Sequence, residues 1–277
     1  MHVYWLAQTE ADVPQANNWL SAEETVHFNT LRFAKRSADW RLGRWTAKRA
    51  IAAFLNFPVH PQALANIEIW PAPSGAPEAF VANALAPVVI SISHRDGRAM
   101  CAIASSRVDL GADLGCDLEI IEPHSDAFVA DYFAPEEQAL IAHSSPSNRE
   151  LMMALLWSAK ESALKAMREG LRLDTRSVIV RLIGDVLNNG LLDNDRSGND
   201  SPSLNRWNRL QVHCANGQTF HGWWRNTKNV VLTVVASPRP DSPIFLDVSV
   251  DFPQYSSSSD IQERRQTITA AVSRMHR

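Results

Sequence analysis

In the stretch "LSAEETVHFNTLRFAKRSADWRLGRWTAKRAIAAFLNF", Val26, Leu31, Phe33, Leu42, Trp45, Ile51, Phe54 and Leu55 recur at helical spacing, which predicts two helices before Pro58. Ser21 is the expected N-cap of the first, with Glu24 three residues on as its reciprocal partner. The period then changes. "NIEIW" alternates as a strand and runs into a Pro/Gly-rich loop, "PAPSGAPEAFV", while "VVISISHRDGRAMCAIA" reads as a hairpin turned at "RDG". After a polar joint near residues 105–112, "LGADLGCDLEII" reads as another strand, helical periods follow around 126–143 and 149–168, and strands return at "SVIVRLI", "LQVHCA" and "VVLTVVAS". Helices and strands thus occur in both halves, so the expected fold class is α+β in two lobes, residues 1–108 and 109–238. Residues 193–206 are polar and rich in Gly, Ser and Pro, and should form a loop or disordered insert. The extension 239–277 carries a short helical pattern at Ile261, Ile268 and Met275 and no recognisable chemistry.

Composition narrows the class. The 277 residues are 45% apolar, enough for a core of ordinary size, and the net charge of −3 gives no global basic field for nucleic acid or anionic membrane. The N-terminal "MHVYWLAQTEADVP" lacks a basic start and a long apolar run, and no segment approaches the ~18 apolar residues of a membrane span, so a cytoplasmic protein is expected. Cys101, Cys116 and Cys214 are too few and scattered for a disulfide framework or paired metal ligands, and should be buried thiols.

The chemistry concentrates in two short segments. In "GCDLE", Asp117 and Glu119 stand at i and i+2, so a strand would project both carboxylates from one face. In "LWSAKESALKA", Glu161 and Lys165 stand at i and i+4, stacked on one helical face. An acidic strand face and an exposed ion pair would explain each alone. If Glu161 joins the two acids, three carboxylates about 5 Å apart repel by roughly 3 kcal/mol per pair, and convergence requires a bound cation. An all-oxygen donor set selects Mg²⁺, Mn²⁺ or Ca²⁺, with Mg²⁺ favoured where phosphate oxygens complete the octahedron. Phosphate partners are at hand: Arg41, Arg44 and Lys48 fall on one face of the second helix, and Ser93 and His94 stand where the hairpin turns. A phosphate-binding P-loop, a dinucleotide glycine motif, a serine nucleophile elbow and a zinc H-E-x-x-H motif are all absent from the sequence.

"SISH", "GCDLE" and "WSAKESALK", in this order and spacing, resemble the signature segments of the Sfp-type 4′-phosphopantetheinyl transferases, and the similarity extends over about residues 1–238, including the helix pair and "GLRLD". The resemblance implies two similar lobes related by a pseudo-two-fold axis, with coenzyme A in the cleft between them. It implies Asp117, Glu119 and Glu161 as metal-binding acids, Lys165, Lys160 and Trp157 as the W-x-x-K-E-x-x-x-K positions, Lys160 with Arg44, Lys48, Gly75 and Ser93 among the coenzyme A contacts, His94 on coenzyme A phosphates and Arg41 near its 3′-phosphate. Gly75 stands in the loop where family members often show G-K-P; here Ala76 replaces the lysine, so one contact to coenzyme A is missing. Cys116 replaces the usual Ile or Val and keeps a small apolar side chain.

The implied reaction is Mg²⁺-dependent transfer of phosphopantetheine from coenzyme A to a serine of an acyl or peptidyl carrier protein, releasing 3′,5′-ADP. Glu161 is the expected base, direct or through water, and Lys165 the expected partner of charge on the pyrophosphate. Two complete lobes suggest a monomer. A non-catalytic coenzyme A or phosphate binder is the principal alternative, and a metal-dependent phosphohydrolase another.

Overall fold

The computed structural model describes residues 1–106, 111–169, 173–183 and 206–248. Part of the joint read at 105–112, nearly all of the polar insert at 193–206, the first residues of "GLRLD" and the helical pattern at 261–275 lie outside these residues.

The first half begins with β1 (Tyr4–Thr9) and proceeds through α1 (Ala22–Asn29) to the long α2 (Ala34–Phe54). Ser21 caps α1 as expected, its hydroxyl accepting from the Glu24 amide while the Glu24 carboxylate accepts from the Ser21 amide. A short α3 (Pro61–Leu64), with Pro61 at its first turn, leads into β2 (Ile67–Pro71), β3 (Pro77–Val81) and β4 (Ala84–Leu85). The Pro/Gly-rich stretch is therefore a hairpin rather than a loop: "PEAFV" pairs back on "IEIWP", and Gly75 supplies the left-handed φ of the turn. β5 (Val88–Arg95) and β6 (Arg98–Ser105) form the hairpin read from "RDG", with Asp96 and Gly97 both at positive φ in its two-residue turn.

The second half repeats this order. β7 (Asp113–Ile120) is followed by α4 (Asp126–Tyr132), α5 (Pro135–His143) and the long α6 (Pro146–Met167), then β8 (Val178–Leu182), β9 (Asn208–Cys214), β10 (Thr219–Thr227) and β11 (Val230–Ser237). β1 pairs with β6 and β6 with β5; correspondingly, β7 pairs with β11 and β11 with β10. The sheet orders are β12-β1-β6-β5 and β7-β11-β10-β9-β8, with β2-β3-β4 separate. β12 (Ile244–Phe245) belongs to the C-terminal extension and runs parallel to β1, so the chain returns to the sheet where it began. The sequence reading had not singled out β1 or β10.

Alternation along the strands builds three apolar layers. Leu6, Cys101 and Ile103 face α2 with Ile51 and Trp45; Val231 and Val235 face α6 with Leu155 and Ala163. The opposite faces meet one another, with Trp5, Met100 and Ala102 packing against Leu114, Cys116, Leu118 and Val234. The result is helix, sheet, sheet, helix. All three cysteines are buried and free. Among the described residues no helix is long and apolar enough to cross a membrane.

Candidate active site

Where the halves meet, the edge strands β5 and β7 are joined by side chains. Ser91 Oγ accepts from the Cys116 amide at 2.9 Å, the Cys116 thiol donates to the Ser91 carbonyl, and Ser93 Oγ donates to Asp117 Oδ1 at 2.7 Å. Even-numbered residues of β7 enter the layer between the sheets, which leaves Gly115, Asp117 and Glu119 on the α6 face.

Gly115 makes the approach of α6 possible. A Cβ there would lie 1.8 Å from the Ser162 carbonyl oxygen and 2.8 Å from the Ala166 amide, so only a residue without a side chain lets the helix backbone come this close. The same face of the helix is held to the next strand, β11, by buried hydroxyls: Ser158 and Ser162 reach Thr233 Oγ1 at 2.8 and 2.7 Å. One turn beyond Glu161, the Lys165 ammonium lands on Asp117 Oδ1 at 2.7 Å and on the Cys116 carbonyl at 3.2 Å. Asp117 is 2% exposed, and its Oδ2 has no hydrogen-bond partner among the described residues.

The electrostatics put two acids, Glu119 and Glu161, under strain. Burial, then Asp117 and Glu161, push the Glu119 carboxyl up to about 7 against the opposing pull of Arg95 and Lys165. Burial and Asp117 also raise Glu161, with Lys165 opposing. Burial works against the Lys165 ammonium, yet Asp117, Cys116 and Glu161 outweigh it and hold the lysine charged. Burial pushes the Cys116 thiol up to about 11, which keeps it neutral.

A divalent cation is implied by the resemblance, and the donor chemistry suits one: hard carboxylate oxygens, mutual repulsion raising Glu119 and Glu161, and a buried orphan oxygen on Asp117. Among the described residues, however, no three His, Cys, Asp or Glu side chains are drawn together as a ready metal cluster. Protein cations sit on the acids instead, Lys165 on Asp117 and Arg95 on Glu119.

Two cavities flank this point. One, of about 540 Å³, is walled by Trp40, Gly43, Arg44, Pro77, Ile92 and His94, with Lys35, Arg36 and Asp39 at its margin. The other, of about 740 Å³, runs from Gly75 and Ser91 across to Asp113, Lys165 and Arg168, so both halves line it. Pro77 and Ile92 belong to both walls. Burial lowers the His94 imidazole from its ordinary value; Asp39 opposes this, and Lys165 and Arg44 add to it. Arg44 lies over the Trp40 ring at 4.8 Å, and burial lowers its pKa as well.

The structure therefore joins Ser93 and Lys165 to Asp117, leaves Glu119 and Glu161 within reach of its charge without gathering the three acids into one cluster, and places His94, Arg44 and Gly75 on the cavity walls. Arg41 is on the same helix as Arg44 but donates to the Pro14 and Gln15 carbonyls, tethering the segment before α1. Lys48 and Lys160, both read as coenzyme A contacts, are corrected: each side chain is wholly buried and saturated by protein groups. Lys48 pairs with Glu24 and donates to the Trp19 and Leu64 carbonyls. Lys160 pairs with Glu137 at 2.6 Å and donates to the Thr175 and Val178 carbonyls. Neither ammonium has an open face left for a ligand. Arg95, Lys35 and Arg36 had not been singled out; the signals were a basic residue directly after "SISH" and a basic pair opening α2.

Residues 113–226 match the family model of the 4′-phosphopantetheinyl transferase superfamily. Over 168 residues, 60% of this chain and 67% of the other protein, the sequence is 24% identical to the 4′-phosphopantetheinyl transferase HetI of Nostoc sp. strain PCC 7120.

Proposed function

We infer that this chain, assigned to the 4′-phosphopantetheinyl transferase superfamily by those matches, transfers 4′-phosphopantetheine from coenzyme A to a serine of an acyl or peptidyl carrier protein. The observation that carries the reading is the junction at Gly115, where α6 delivers Lys165 to Asp117, and sets Glu161 within reach of the Asp117 charge, beside an inter-half cavity that Lys165 lines. Coenzyme A would lie along the two cavities, with Arg44 and His94 facing its phosphates and Gly75 passing close by its chain.

A divalent cation, Mg²⁺ in this reading, would be held by Asp117, Glu119 and Glu161 and would supply Lewis-acid stabilisation of the pyrophosphate. Asp117 offers its unpartnered Oδ2, because Ser93 and Lys165 already occupy Oδ1. Glu161, whose basicity burial raises, accepts the proton of the attacking serine hydroxyl, directly or through water. Lys165 faces the charge that develops on the departing 3′,5′-ADP. The oxygen of the serine bonds to the β-phosphorus as the bond to the leaving phosphate breaks, so positioning and charge do the chemistry without a covalent enzyme intermediate.

The same reading takes the halves, 1–108 and 109–238, as lobes related by a pseudo-two-fold axis. The parallel strand orders and the repeated Trp-x-Ala-Lys of α2 and α6 support it. The protein would act as a cytoplasmic monomer.

Incubating the full chain with coenzyme A, Mg²⁺ and apo carrier proteins, followed by mass spectrometry, tests the proposal. A gain of one phosphopantetheine on the carrier serine is expected. Binding of coenzyme A without transfer to any carrier would leave a non-catalytic binder, and its hydrolysis without a carrier would make the protein a phosphohydrolase.

A further inference from the structure

Arg95, the last residue of β5, reaches across the edge of the acid site and is forked between two carboxylates. Its Nη1 lies 3.2 Å from Glu119 Oε2, and its Nη2 pairs with Glu122 Oε1, just beyond the end of β7. The two partners differ in environment: the Glu119 side chain is 11% exposed and belongs to the acid cluster, whereas Glu122 is 43% exposed and lies outside it. Arg95 itself is 40% exposed, so its head group can move without opening the core. Among the described residues, the acids carry an unpartnered buried oxygen on Asp117, yet they do not stand as a ready metal cluster.

We propose that Arg95 is a displaceable internal counterion: it neutralises Glu119 while the acid site is empty, and withdraws to Glu122 alone when a divalent cation takes its place. This rests on the cation-dependent reading above and adds the device that sets cation affinity. A second cation beside Glu119 would repel an incoming divalent ion, so Arg95 must leave before Glu119 can serve as a ligand. Glu122 keeps the departing guanidinium in an ion pair, and only one of the fork's two contacts is broken. Arg95 touches neither substrate nor reacting atoms in this role and is a positioning residue.

The test is calorimetric titration of Mn²⁺ into the full-length protein without coenzyme A, with circular dichroism to confirm folding. Arg95→Gln should tighten Mn²⁺ binding about five-fold, the scale of a partly exposed ion pair. Glu122→Gln should weaken it about three-fold, because Arg95 then stays on Glu119. Arg95→Lys, which keeps the charge but loses the fork, should fall between Arg95→Gln and the wild type. The double variant decides between exchange and a simple field of charge. If Glu122 acts only by receiving Arg95, the double variant matches Arg95→Gln; additive effects of the two substitutions would overturn the proposal. Unchanged or weaker Mn²⁺ binding by Arg95→Gln would also overturn it. Failure of the wild type to bind Mn²⁺ would remove the cation-dependent reading itself, an outcome distinct from wild-type binding that the variants leave unchanged.

Discussion

The two long helices carry the same four-residue pattern and use it alike, then diverge at the next position. Trp45-Thr46-Ala47-Lys48 in α2 corresponds to Trp157-Ser158-Ala159-Lys160 in α6. Lys48 lies on Glu24, whose carboxylate also takes the Ser21 and Ile69 amides; Lys160 lies on Glu137, whose carboxylate takes the Ala134 and Val180 amides. Each lysine also faces an aromatic ring at 5.6 Å, Trp19 in one half and Phe133 in the other. One buried device thus ties the long helix, the short helix before it and the strand after it, once in each half. The following residue is Arg49 in α2, which donates to the Val248 carbonyl and packs on Trp45. In α6 it is Glu161, and four residues later Lys165 stands where α2 has Ala53. The shared pattern is architecture, and the proposed chemistry lies in what departs from it.

The largest expected effects test the shared part. Lys48→Met and Lys160→Met each leave a buried glutamate without its cation and should each destabilise by about 3–5 kcal/mol in urea unfolding. A cost confined to one half would break the equivalence. Next comes the unshared approach of strand to helix. Gly115→Ala forces a methyl into the Ser162 carbonyl and should cost about 3 kcal/mol or more. Gly43→Ala, in α2, meets only ordinary contacts at 3.6 and 3.7 Å from Ile92 and His94, and should stabilise by up to about 1 kcal/mol through helix propensity. Chemical denaturation of the pair shows whether only one half requires a bare backbone at its long helix.

A smaller effect concerns pH. Glu119 titrates at about 7 in the folded protein against an ordinary 4.5, so the fold favours its protonated form. That contribution to stability is fully present below about 4.5 and is lost as pH rises through about 7, on the order of 1–3 kcal/mol. Without added cation, the wild type should therefore lose more stability between pH 5 and pH 8 than Glu119→Gln does. Equal slopes in the two proteins would take the strain away from Glu119.

Much of this could be read from the chain, and the gaps have physical causes. The Ser21/Glu24 cap and the hairpin at Asp96-Gly97 are local signals that depend on few residues, and both appear as expected. The β2-β3 hairpin was hidden because prolines at its ends read as loop; Pro71 and Pro77 stand opposite one another as its closing pair. β10 was obscured by "GWW", where Gly222 lets β11 approach and Trp223 and Trp224 alternate across the sheet. Within the site, the two-residue spacing of Asp117 and Glu119 and the helical spacing of Glu161 and Lys165 could be read directly. That Lys165 would lie on Asp117 could not, because it depends on how closely α6 approaches Gly115. Lys48 and Lys160 misled because a lysine is ordinarily solvated, and only tertiary packing reveals a buried partner. The repeated Trp-x-Ala-Lys pattern carried that information, since two helices bearing the same lysine in different surroundings point to a common structural duty.

The most direct test of the account compares single-turnover phosphopantetheine transfer by the wild type, Glu161→Gln and Arg49→Gln at saturating coenzyme A and Mg²⁺. Glu161→Gln keeps the side chain's size but loses its charge and basicity, so the rate should fall by a factor of about 10² to 10⁴ with the fold intact. Arg49→Gln, at the matching position of the other helix, should stay within about two-fold of the wild type, as expected for a half-buried tether away from the reacting atoms. Near-normal transfer by Glu161→Gln, or equal losses in the two variants, would contradict the claim that, of the two long helices, only α6 carries the base.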